Sequence, residues 1–177
     1  MPLPFEPDLL VETLSTITEF SIGLAGFSGV AAAFMQRSSA VSELDRMRIT
    51  FNICISLIPG FAAFLTLSLI NAGLDQITVI RWGSSTIVAV LLTILALSPV
   101  IKSRAGNLQR FNPVALSIFV LAIVVNLPLQ LYNSIVMPVS AAGIFVGGLS
   151  MILLVGAANF AGLLWQMLGY KPAQAQE

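Results

Sequence analysis

The groups able to do chemistry are few, and their spacing limits what they can do. Glu12 and Glu19 lie seven residues apart at the head of a stretch, ITEFSIGLAGFSGVAAAF, that is otherwise mostly glycine, alanine and large apolar side chains. Seven residues are about two helical turns, so both carboxylates leave one helix face, with Thr16 between them. Such a pair attracts cations or binds a proton. Equally, it is an interfacial pair that meets Arg81 or stays hydrated. Further along, Asn126, Gln130 and Asn133 follow at i, i+4 and i+7 beside Pro128, which makes one polar stripe. Asn159 and Gln166 share a face of the last apolar segment, and Asn52 and Ser56 precede Pro59-Gly60. Buried amides must face protein or water, since lipid offers them no partner. They either line a path for a small solute or ion, or tie helices together at about 0.6 kcal/mol per bond.

Other chemistries lack their residues. The chain has no histidine, the usual general base near neutral pH, and one cysteine, Cys54, inside an apolar run. There is no glycine-rich phosphate loop with a lysine and no deep carboxylate pair. Serines and threonines are plentiful, but none has a histidine, or a lysine at depth, to activate it. The expectation is a protein that is not an enzyme, with no cofactor and no metal site. Net charge is zero, from eight basic and eight acidic residues, without the clustered basic face that nucleic acid requires.

The elements that place these groups follow from the solvent. Hydrophobic residues make up 57% of the chain and charged ones 9%, too few to coat a water-facing surface. Lipid must cover the sides. A spanning helix needs about 20 apolar residues, and five stretches qualify: about 9–36, 47–74, 80–101, 113–136 and 139–168. They are far longer than the roughly ten residues of a barrel strand and do not alternate. The predicted fold is an all-α polytopic transmembrane bundle of five helices in one domain, with residues 171–177 as a polar tail. Ser42 to Asp45 reads as a capping box before helix two, and Asn112-Pro113 as an N-cap with proline at the first helical position before helix four. Met137-Pro138 is expected to form a hairpin or a sharp bend between the last two helices.

Loop charges give orientation. Arg37, Arg46 and Arg48 lie around the first loop, Lys102, Arg104 and Arg110 around the third, and only Arg81 near the second. Basic loops stay cytoplasmic. The N-terminus is therefore expected outside and the C-terminus, with Lys171, inside. The acidic start, with Glu6, Asp8 and Glu12, does not read as a cleaved secretory signal. Trp82 and Tyr132 then anchor the outer interface, and Phe111, Trp165 and Tyr170 the inner one. With Arg37 as the inner edge, eighteen residues at about 1.5 Å each lift Glu19 about 27 Å, near the outer limit of a hydrocarbon layer of about 30 Å.

Gly23, Gly26 and Gly29, followed by Ala33, let a second helix come close to helix one; Gly156 and Gly162 do the same on helix five. The neighbour is either a helix of the same chain or one of another subunit.

In the glycine-rich first helix, the loop from Arg37 to Arg48 with its S-x-x-D-x-x-R pattern, the Leu57–Gly60 stretch "LIPG" and the Ala157–Leu164 stretch "ANFAGLL", the chain resembles a group of small multi-pass bacterial membrane proteins. That resemblance implies a bacterial cytoplasmic-membrane location and carries no activity. The expected role is a structural or accessory subunit in the lipid bilayer, packed in a homo-oligomer or with other membrane subunits. The alternative is a small channel or transporter, with a path along Asn126, Gln130, Asn133 and Asn159 and with Glu12 and Glu19 at its mouth.

Overall fold

The computed structural model of the chain describes residues 7–36, 43–105, 113–138 and 140–169. Five helices follow one another: α1 (Pro7–Gln36), α2 (Glu43–Asn71), α3 (Gln76–Ala105), α4 (Pro113–Val136) and α5 (Ala141–Gly169). No strand occurs among the described residues. Each helix holds a span long and apolar enough to cross a membrane: Asp8–Phe34, Ile49–Asn71, Gln76–Leu97, Ser117–Val136 and Ala141–Gly162. The outer sides of these spans are apolar, with Phe20, Phe27, Phe61, Val124 and Ile135 among the exposed side chains. The chain is an all-α, multi-pass bundle.

Hydropathy marks the layer, whereas hydrogen bonding decides where helices stop, so several helices overrun their predicted ends. α3 starts at Gln76 because Asp75 caps it: the Thr78 amide donates to Asp75 Oδ2 at 3.0 Å, and the Thr78 hydroxyl reaches the same oxygen at 3.1 Å. α2 stops at Asn71, three residues before the predicted end. Gly73 takes φ +86°, its amide donates to Ile70 O at 2.9 Å and that of Leu74 to Leu69 O at 3.2 Å. That is a Schellman ending, which glycine adopts without strain. Met137 holds a left-handed φ of 50° before Pro138, and the Ala141 amide donates to Pro138 O at 2.9 Å. The last two helices form a hairpin.

α5 is the inner helix, packed against each of the other four. Its fully buried Phe145 centres a core with Leu10 and Leu14 of α1, Ala63 of α2 and Ile87 of α3. On α1 the buried positions are Leu10, Leu14, Ile17, Ser21, Ala25, Ser28, Ala31 and Ala32, a repeat of roughly 3.5 residues that keeps one narrow seam against its neighbours. The capping residues Ser42 and Asn112, the basic residues Arg37, Arg110 and Lys171, the aromatics Phe111 and Tyr170 and the 171–177 tail lie outside the described residues.

Candidate functional site

The three α4 amides are all buried, and all donate to the α5 backbone or beyond. Asn126 Nδ2 reaches Gly148 O at 2.9 Å, Gln130 Nε2 reaches Ile144 O at 2.7 Å, and Asn133 Nδ2 reaches Ala141 O at 2.9 Å. Each step along α4, of four and then three residues, is matched by an equal step back along α5. Two antiparallel helices in constant register produce that pattern. Asn133 Nδ2 also donates to Ser84 Oγ at 2.8 Å, which ties α3 into the same seam. Gly148 makes the approach possible: a Cβ there would overlap the Gln130 amide nitrogen. Asn159, eleven residues past Gly148 and half-buried, is not brought to the seam.

The matching oxygens are left over. Asn126 Oδ1, Gln130 Oε1 and Asn133 Oδ1 have no hydrogen-bond partner within the protein. An acceptor left unpaired in a low-dielectric interior costs about 1–3 kcal/mol. Chemically, this side of the seam accepts from a donor such as water, or coordinates a small cation. The crevice beside it is apolar, lined by Ile55, Ile58, Val90, Phe119 and Ile152, with Asn126 on its wall.

A second polar contact joins α1 to α2. Asn52 Nδ2 donates to Ser28 Oγ at 2.9 Å, and the Ser28 hydroxyl donates to Leu24 O at 2.8 Å. Gly156 lets α5 close on this point, since a Cβ there would lie 2.8 Å from Ser56 Oγ. Gly60 meets Ser21 in the same way, and Gly83 meets the Phe145 ring. Gly83 and Ser84 escaped the sequence reading because nothing periodic marks them; the run of small residues after Trp82 is their one trace.

The outer side of α1 is built differently. Glu12, Glu19, Gly26 and Ala33 recur every seven residues, all exposed, on the side opposite the buried seam. A Cβ on Gly23, Gly26 or Gly29 would meet nothing within 4 Å. Among the described residues, none makes the close approach that these glycines would allow, so of the two expected neighbours the one within the chain is not seen there. Gly156 does provide one, and Gly162 lies half-exposed near the far end of α5. Among the described residues, no ion pair joins Glu12, Glu19 or Arg81 to another group.

Packing sets Glu19 nearer the middle of the apolar spans than the count from Arg37 does. Ser21 sits against Gly60, where a Cβ would lie 2.6 Å from the Ser21 Cβ. Gly60 is the midpoint of the α2 span, eleven residues from either end of Ile49–Asn71. Glu19, two residues from Ser21, is thus about 3 Å along the axis from the level of that span's midpoint. Arg37 misled as a reference because α1 outruns the layer: Ala32 already packs on Ile49, the first residue of the α2 span. A charge facing hydrocarbon at that depth costs of order 3 kcal/mol on insertion scales. Among the described residues, no group of histidine, cysteine and carboxylate side chains is arranged to hold a metal ion. Compared with family models, with curated proteins and with solved structures, the chain matches none of them.

Proposed function

We propose that this chain is a structural or accessory subunit of a bacterial cytoplasmic membrane, and that it acts by assembling with copies of itself or within a larger membrane complex. The observation that carries this reading is the outer stripe of α1. Along that stripe Glu19 lies near the middle of the apolar spans, and a Cβ on Gly23, Gly26 or Gly29 would meet no described residue within 4 Å. A helix from another subunit would cover the carboxylate and fill the flat surface, where dispersion contacts hold helices together in lipid. The α1 N-terminus is read as outside. Arg46 and Arg48 near the α2 start and Lys102 and Arg104 near the α3 end occupy one end of the bundle, with Arg81 at the other. Bacterial origin rests on the resemblance in the first helix and its loop.

The test is the mass of the assembly extracted in mild detergent or polymer nanodiscs. A particle of several chains is expected, and Gly26→Leu should reduce it to single chains. A wild-type particle of one chain would sink the reading.

One observation favours a second reading, a channel or transporter. The unpaired oxygens of Asn126, Gln130 and Asn133 follow one another along α4. Cation flux into liposomes that falls on Glu19→Gln or Asn126→Leu would support it, and flux equal to that of empty vesicles would remove it.

A further inference from the structure

α1 is not the only helix with an unmatched charge on its outer face. Arg81 is exposed on α3, and among the described side chains it is the one basic group. Its level in the bundle can be read from close contacts. Gly83 lies beside Thr66, so Arg81, two residues earlier, comes level with Ser68. Ser21 lies beside Gly60, so Glu12, nine residues earlier, comes level with Leu69. The exposed carboxylate and the exposed guanidinium therefore sit within about one residue rise, 1.5 Å, of the same height. They lie on helices that run in the same direction. The two helices are separated within the chain, since α2 and α5 are the neighbours of α1.

The same register matches the rest of the two faces. Below Arg81, α3 exposes Ser85, Ala89 and Thr93, all small. Leu92, exposed among them, comes between the levels of Gly23 and Gly26 and offers the bulk that those glycines lack. Glu19 comes level with Ile87, where the outward neighbours are Thr86 and Ala89.

We propose that α1 of one copy docks in parallel on α3 of the next, with Glu12 paired to Arg81 and Leu92 seated on Gly23 and Gly26. The contact is heterologous, because it uses different faces of the two copies. It therefore repeats from copy to copy until a ring closes. Equal depth comes without cost, since copies inserted in the same sense already hold Glu12 and Arg81 at one height. This proposal names the partner and surface for the assembly proposed above and rests on that reading.

The test begins from Cys54→Ser, which removes the one native thiol. Glu12→Cys and Arg81→Cys are made as separate variants, mixed and oxidised in membranes. A disulfide between the two variants, with neither variant coupling to itself, is expected. Glu12→Arg and Arg81→Glu should each weaken association at least about tenfold, and the double variant should restore it. An assembly that forms without this cross-link, or in which Glu12→Cys couples to itself, overturns the α1-on-α3 contact and leaves the assembly reading standing. A wild-type particle of one chain removes both.

Discussion

The seam between α4 and α5 and the outer stripe of α1 both carry polar groups and glycines within the apolar spans, yet they end in different states. In the seam, each amide nitrogen donates to a carbonyl of α5, although the amide oxygens stay unpaired, and Gly148 is filled by its neighbours. On the stripe, Glu19 has no partner and Gly26 has no neighbour. Glycine in a spanning helix thus has two uses, and composition does not tell them apart. What separates them is the direction in which a Cβ would leave the Cα, relative to the buried seam of the same helix.

That contrast can be broken by substitution. The largest effect is expected from Gly148→Leu, which drives a side chain into Gln130 and Asn126. It should cost about 3 kcal/mol or more and leave little folded protein in a denaturing-detergent titration. A near-native midpoint would show that the seam is loose. Next comes Asn133→Leu, which removes donors to Ser84 Oγ and Ala141 O. A loss of about 1–2 kcal/mol in the same titration is expected, set by two bonds in a low-dielectric site. Asn52→Leu removes a single bond to Ser28, so the midpoint should shift by about 0.6 kcal/mol. The smallest effect belongs to the stripe. Gly26→Leu on the isolated chain should change stability by no more than about 0.5 kcal/mol, because Gly26 is exposed and a Cβ there meets no described residue within 4 Å. If Gly26→Leu unfolded the single chain as Gly148→Leu does, the distinction between the two regions would fail.

Much of this architecture is legible in the sequence, because hydropathy and length are enough to define spanning helices. The limits of α4 are read at Pro113 and Val136, and a break at Met137-Pro138 is written in the proline, whereas its form as a hairpin and not a bend is not. The i, i+4, i+7 spacing also announces the α4 amide stripe. Its partners are not legible, because they are backbone carbonyls of Ala141, Ile144 and Gly148, which no residue type marks. The level of Glu19 along the spans is hard to read for a related reason. A helix continues past the hydrocarbon layer at no penalty, so a basic residue beyond its end, such as Arg37, is a poor ruler. The neighbour of Ser21 is a better one, and only packing reveals it. Gly83 and Ser84 illustrate the remainder: their importance comes from Phe145 and Asn133, which are distant in the chain.

The matched spacing of the α4 amides against the α5 carbonyls behaves like a vernier. Were α5 to slide by a single position, all three donors would part from their present carbonyls together. Carbonyls recur along any helix, but the notch at Gly148 that admits Gln130 and Asn126 would move away with them. The bonds and the notch therefore favour one alignment of the hairpin jointly, instead of one bond at a time.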